Sequence, residues 1–204
     1  MKKPTSLKKI WILFGVATAL IMLIAVSAVL LVTARLQQEL LKKEPAYEPA
    51  TLYNRAVDQT TKGDYQAAEA SLEQALKQQD DATYKSQLAV VKYRLKKYEE
   101  AIVLYQKLIA DGKDAAFGWN GIGNAYRDWA DADAARADTY RAEAIKAYEQ
   151  SIVLNRQYVA AYSNLALLYE AQEKYPEALA VLDRGIVATG AQELSQIRQR
   201  IATK

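Results

Sequence analysis

At 204 residues, with half of them hydrophobic and a quarter charged, the chain is long enough for one domain with a real core behind a membrane segment. It has no cysteine and no histidine, which excludes disulfides, thiolate nucleophiles and zinc–thiolate sites and removes the commonest general base and transition-metal ligand. The net charge of +3 divides unevenly: residues 1–44 hold seven Lys/Arg against two Glu, a net of +5, and residues 45–204 hold 20 Lys/Arg against 22 Asp/Glu, a net of −2, with no basic stripe of the kind nucleic-acid binding needs.

Residues 1–9 form a basic tail with Lys2, Lys3, Lys8 and Lys9. Residues 10–34, "IWILFGVATALIMLIAVSAVLLVTA", are 25 residues without a charge. At ~1.5 Å per residue a helix of this length crosses a hydrocarbon core of ~30 Å with some tilt. The run is too long for the core of a cleaved leader, although "VSA" at 26–28 and "VTA" at 32–34 resemble cleavage sites. The expectation is an uncleaved single-pass signal-anchor helix. The lysines before it favour a cytoplasmic N-terminus and an extracytoplasmic remainder. Residues 35–48 read as a juxtamembrane linker stiffened by Pro45, with Pro49 just beyond it.

After the linker, Ala, Leu, Gln, Lys and Glu dominate and no alternating β-branched run argues for a strand. "KYEEAIVLYQKLI" at 97–109 places apolar residues at helical spacings of three and four. Close variants begin at 64, 140 and 174, so the starts are spaced by 33, 43 and 34 residues. A period near 34 marks a helix–turn–helix repeat. A partner helix precedes each variant, at 52–63, 84–95, 119–129 and 162–172. The expectation is an all-α solenoid over 49–190, divided into 49–81, 82–115, 116–158 and 159–190, closed by a capping helix at 191–204 with Leu194, Ile197 and Ile201 as its apolar stripe. The third repeat carries nine extra residues within "DWADADAARADTYRAE", 128–143. Alanine there favours helix, so both helices should lengthen into a protruding hairpin, either a partner-contacting prong or a tolerated insertion. Asp131 and Asp133 lack the further ligands and turn glycine of a calcium loop, so no metal site is expected.

The repeats resemble the tetratricopeptide repeat family. Trp119, Ile122, Gly123 and Tyr126 match its Trp-x2-Leu-Gly-x2-Tyr signature, and Tyr162, Leu165, Ala166 and Tyr169 match it more loosely. Ala144 with Tyr148, and Ala101 with Tyr105, match the following Ala-x3-Phe element. The first repeat departs from the pattern at Arg55 and Gln59, and the closing proline is missing from every repeat. The small Ala56, Ala89, Gly123 and Ala166 let paired helices approach, and most tyrosines read as packing between repeats.

The resemblance implies a right-handed superhelix whose concave groove, lined by the first helix of each repeat, holds a peptide or protein partner. Carried over by position, the groove takes Tyr53, Val57 and Thr60; Ser86, Val90, Tyr93 and Arg94; Phe117, Asn120, Asn124, Arg127 and Asp128; and Ser163, Asn164, Leu167 and Glu170. Some members clamp a peptide C-terminal carboxylate with Asn, Lys and Arg side chains. Asn124, Asn164 and Arg198 match two Asn and the Arg of that clamp, while Asn120 and Leu194 stand where its lysines would be. The functional expectation is a membrane-anchored scaffold for a protein or peptide partner in envelope assembly or protein secretion. The alternatives are a self-assembling structural protein and a non-catalytic subunit of an enzyme complex. No catalytic constellation, cofactor or nucleic-acid partner is expected.

Overall fold

The structure is a computed structural model that describes residues 22–35 and 48–204. Contacts divide the chain into two compact units, Met1–Tyr47 and Glu48–Lys204. In the first unit, residues 22–35 form helix α1, with every residue exposed. Its hydroxyls turn inward on their own backbone: Ser27 Oγ donates to the Leu23 and Ile24 carbonyls and Thr33 Oγ1 to that of Leu30. Among the described residues no helix is long and apolar enough to cross a membrane. Residues 10–21 of the expected anchor, the basic tail and most of the linker lie outside the described residues.

Among the described residues, the second unit is built from nine helices, eight of them in hairpin pairs: α2 (Pro49–Thr61) and α3 (Tyr65–Gln78), α4 (Ala82–Arg94) and α5 (Tyr98–Ala110), α6 (Ala115–Ala132) and α7 (Ala137–Leu154), α8 (Val159–Ala171) and α9 (Tyr175–Thr189), then α10 (Gln192–Ile201). The described residues contain no strand. Helix starts follow local chemistry. Asp64 accepts from the Ala67 amide, Asp81 accepts from Thr83 and Tyr84, and prolines open α2 and α9.

Each short hairpin turn ends its first helix with a left-handed residue: Gly63 (φ 81°), Lys96 (φ 61°) and Glu173 (φ 59°). The next amide then closes back on the helix, from Asp64 to the Gln59 carbonyl, Lys97 to Lys92 and Lys174 to Tyr169. Only the first of these turns uses the residue that adopts this conformation without strain.

The core runs as a series of clusters. Leu52, Ala56, Leu72, Leu88 and Val91 fill the first; Ala101, Tyr105, Leu108 and Ile122 the second; Tyr148, Leu165, Leu182, Leu194 and Ile201 the third. Close approach decides the small residues. A Cβ added at Gly123 would stand 2.5 Å from Tyr148 Cε1, and one at Gly185 would stand 2.7 Å from Leu194 Cδ1. The cap α10 buries Leu194 and Ile201 completely or nearly so.

The third hairpin is longer than the rest, with 18 residues in each of α6 and α7 against 13–15 in the other paired helices. The extra turns pack on themselves. Trp129 and Tyr140 stack with centroids 4.5 Å apart, Tyr126 stacks on Tyr140, and the Arg136 guanidinium lies 5.2 Å from the Tyr140 ring centroid and 5.8 Å from that of Trp129. Tyr140 Oη is buried without a hydrogen-bond partner.

Candidate partner-binding groove

The first helices of successive repeats touch in order, α2 with α4, α4 with α6 and α6 with α8, and form the inner face of the stack. Polar side chains on this face bond from one helix to the next. Gln87 on α4 donates to Thr60 on α2 at 3.4 Å. Tyr93 on α4 donates to Asp128 on α6 at 2.5 Å. Asn164 on α8 donates to Asn120 on α6 at 2.9 Å.

The middle of the face is the most tightly wired. Arg127 Nε donates to Asp128 Oδ1 at 2.7 Å, and its Nη2 lies 3.5 Å from Tyr93 Oη. Burial, with the Asp128 carboxylate beside it, pushes the Tyr93 phenol up to about 12. Burial pulls the Arg127 guanidinium down, but Tyr148 and Asp128 more than offset it and hold it above the usual value. Tyr148 reaches through from α7, and its hydroxyl donates to Asn124 Oδ1 at 2.8 Å. This arrangement holds planar amide and guanidinium groups half-buried and pre-oriented, which suits hydrogen bonding to the backbone of an extended chain.

The other residues expected in the groove are placed as follows. Tyr53 stacks on Tyr84 at 5.2 Å, and Phe117 meets Tyr105 edge-on at 5.9 Å. Arg94 and Val57 are exposed, Ser86, Val90 and Leu167 are half-buried, and Asn120 and Ser163 are buried. Glu170 is held by Arg200 at 2.7 and 2.8 Å and by Lys204 at 2.7 Å. Burial raises the Glu170 carboxyl, and the two cations outweigh it and set it below the usual range.

Each of the three residues matching the carboxylate clamp already has a side-chain partner. Asn124 is engaged by Tyr148, Asn164 by Asn120, and Arg198 by Asp183 on α9. Leu194, where a clamp lysine would stand, is fully buried against Gly185.

Sequence reasoning missed four residues. Tyr148 reads as a packing aromatic, and nothing in its spacing announces that its hydroxyl reaches the groove. Arg200 and Lys204 lie in the cap, past the last repeat. Lys92 occupies the repeat position held by Tyr126 and Tyr169 further along, yet its ammonium is buried among Glu69 (2.5 Å), Glu73 (2.9 Å) and Glu100 (2.7 Å), with Lys97 also on Glu69. Among the described residues no group of acidic side chains is arranged to hold a metal ion.

Known proteins share both the repeat pattern and the stack. The family described as Tetratricopeptide Repeats-Sensor matches residues 64–169, just over half of the chain, and a second tetratricopeptide repeat family matches residues 159–187. No curated protein matches the sequence. Solved structures share the fold. TTC0263, a thermophilic protein of this repeat class from Thermus thermophilus, is 20% identical with a TM-score of 0.62, covering 75% of this chain and 80% of that one. MamA (41-end) from Desulfovibrio magneticus RS-1 is 18% identical, TM-score 0.57, covering 76% and 82%. A chain of the APC/C hetero-tetramer Cut9–Hcn1 is 18% identical, TM-score 0.58, covering 76% of this chain and 30% of that one.

Proposed function

The chain belongs to the Tetratricopeptide Repeats-Sensor family of tetratricopeptide repeat proteins, and on that premise we propose that it is a non-catalytic, membrane-anchored scaffold whose inner face holds an extended segment of a protein partner. The observation that carries the reading is the Tyr93–Asp128–Arg127 and Asn120–Asn164 wiring, which pre-orients donors and acceptors across α4, α6 and α8 without burying all of them. Pre-organisation lowers the ordering cost that a bound extended chain would otherwise impose. The non-catalytic reading draws support from the absence of histidine and cysteine. The anchor reading draws support from the 25 uncharged residues at 10–34 and from α1, apolar and exposed on all sides with its hydroxyls satisfied internally. The lysine-rich flank favours placing the repeats outside the cytoplasm, where envelope assembly or secretion supplies partners.

One experiment tests groove and topology together, using the full chain in its native membrane. A photo-crosslinking residue replaces Val90 on α4 or Val103 on α5, and Thr203→Cys reports sidedness through an impermeant maleimide. Expected are adducts from position 90 that fall severalfold in Arg127→Ala, no adducts from 103, and labelling without breaching the inner membrane. Adducts from 103 alone would sink the groove; labelling only after breaching would sink the orientation.

A further inference from the structure

In a hairpin solenoid every turn from the second helix of one repeat to the first helix of the next lies on the same edge. Along this chain that edge changes character. Its first two turns are acidic. Asp80, Asp81, Asp111 and Asp114 surround a cleft of about 840 Å³, with Lys85 bonded to Asp80 and Asp111 and Lys113 beside them. Around its last two turns the exposed side chains are mainly apolar, with Arg156 and an Arg184–Glu149 ion pair among them. Val187, Val153 and Leu154, 89%, 67% and 53% exposed, are the most exposed large apolar side chains among the described residues of the repeat unit. Val153 and Val187 line one cleft of about 500 Å³ with Ile152, Arg156 and Arg184. Gln157 crosses to the Ala188 carbonyl at 2.6 Å, and Arg184 grips Glu149 through both carboxylate oxygens, so the cleft is braced from both sides.

Aliphatic tips with Arg156 beside them match the boundary layer of a bilayer, where methyl groups enter the acyl region and a guanidinium group meets headgroup phosphates. We propose that Val153, Leu154, Val187 and Arg156 form a lipid-facing patch by which the repeat unit rests on an anionic membrane surface. The inference rests on the anchor reading above. Charge supports the choice of occupant: an anionic surface attracts the Arg156 half of the edge and repels the four aspartates of the other half. So does the tether. Residues 35–48 reach at most ~50 Å when extended, which keeps the patch at high effective concentration beside the bilayer, so a contact too weak to hold a free protein suffices.

The native chain has no cysteine, so single cysteines report cleanly. The full chain is reconstituted in vesicles of mixed zwitterionic and anionic lipid, with an environment-sensitive dye at Val187→Cys, at Thr83→Cys on the acidic half, or at Val26→Cys in α1, and with nitroxide-bearing lipids as quencher. The expected result is severalfold stronger quenching at 187 than at 83, with the quenching at 187 reduced roughly fivefold to tenfold by Arg156→Glu. Quenching at 26 but not at 187 overturns the patch while leaving the anchor standing. Quenching at neither overturns both. A dye at 187 that responds to protein density instead of lipid quencher identifies a second copy as the occupant and overturns the lipid assignment.

Discussion

Lys96 and Glu173 sit in the left-handed region that Gly63 occupies in the equivalent turn of the first repeat. A side chain in that region costs about 1 kcal/mol, because its Cβ crowds the following carbonyl. Glu173→Gly is therefore expected to stabilise the fold by somewhat under 1 kcal/mol, part of the gain being returned as unfolded-chain entropy. Thermal unfolding checks it, and a lowered Tm would mean that the Glu173 side chain makes a stabilising contact. The sequence hides this strain, since "QEKY" carries no turn residue, whereas "KGDY" announces its turn plainly. The same limit applies in the groove. The resemblance put Asn120, Asn124 and Asn164 on the inner face by position. That Asn164 bonds to Asn120, and that Tyr148 reaches Asn124, was not legible, because a hydrogen bond between helices depends on side-chain direction that spacing does not encode.

At the scale of helices, the period near 34 made the hairpin pairs readable, and the alanine-rich insertion made the longer third hairpin readable too. The self-packing of that hairpin was not. Trp129 and Tyr140 are far apart in the phrase 128–143, and only the turn at Ala134–Arg136 brings their rings together beneath Arg136. The joint between α3, α4 and α5 was equally hidden. Where later repeats place an aromatic ring, Lys92 binds three carboxylates. Lys92→Met would leave the half-buried Glu69 with Lys97 as its remaining cation and turn Glu73 and Glu100 out to water, at a cost of about 2 kcal/mol. The exposed pair Arg184–Glu149, by comparison, is worth less than ~1 kcal/mol.

Acid should act on the same joint. Burial raises the Glu69 carboxyl, but Lys92 and Lys97 outweigh it and hold it below its ordinary value of 4.5. A carboxylate depressed in the folded state contributes stability that is complete above its unfolded pKa and lost as pH falls through the folded one. Lys92 is shifted upward, which keeps its contribution whole up to about its ordinary value of 10.5, so the loss at low pH at this joint belongs to Glu69. Denaturant unfolding of the wild type should hold steady near neutrality and weaken below the ordinary Glu69 value of 4.5, and Lys92→Met should flatten the part of that slope due to Glu69. An unchanged slope in the variant would assign the acid sensitivity elsewhere, first to Glu170 with Arg200 and Lys204.

For the molecule as a whole, architecture was the most legible level: four hairpins and a cap follow from periodicity, because nearest-neighbour packing repeats its own sequence requirements. What the whole molecule touches was least legible, since partner recognition and any membrane contact depend on which side chains the stack leaves unsatisfied at its surface. The core itself is divided among successive clusters, each fed by adjacent helices. That division has a mechanical consequence. A pull delivered along the chain at Glu48 loads the first hairpin before the second, and among the described residues no strand or disulfide spreads the tension. The hairpins would peel away in order from the α2 end, each lengthening the chain by a discrete step while those beyond it stay folded. A partner gripping the far end would feel a yielding spring instead of a rigid strut.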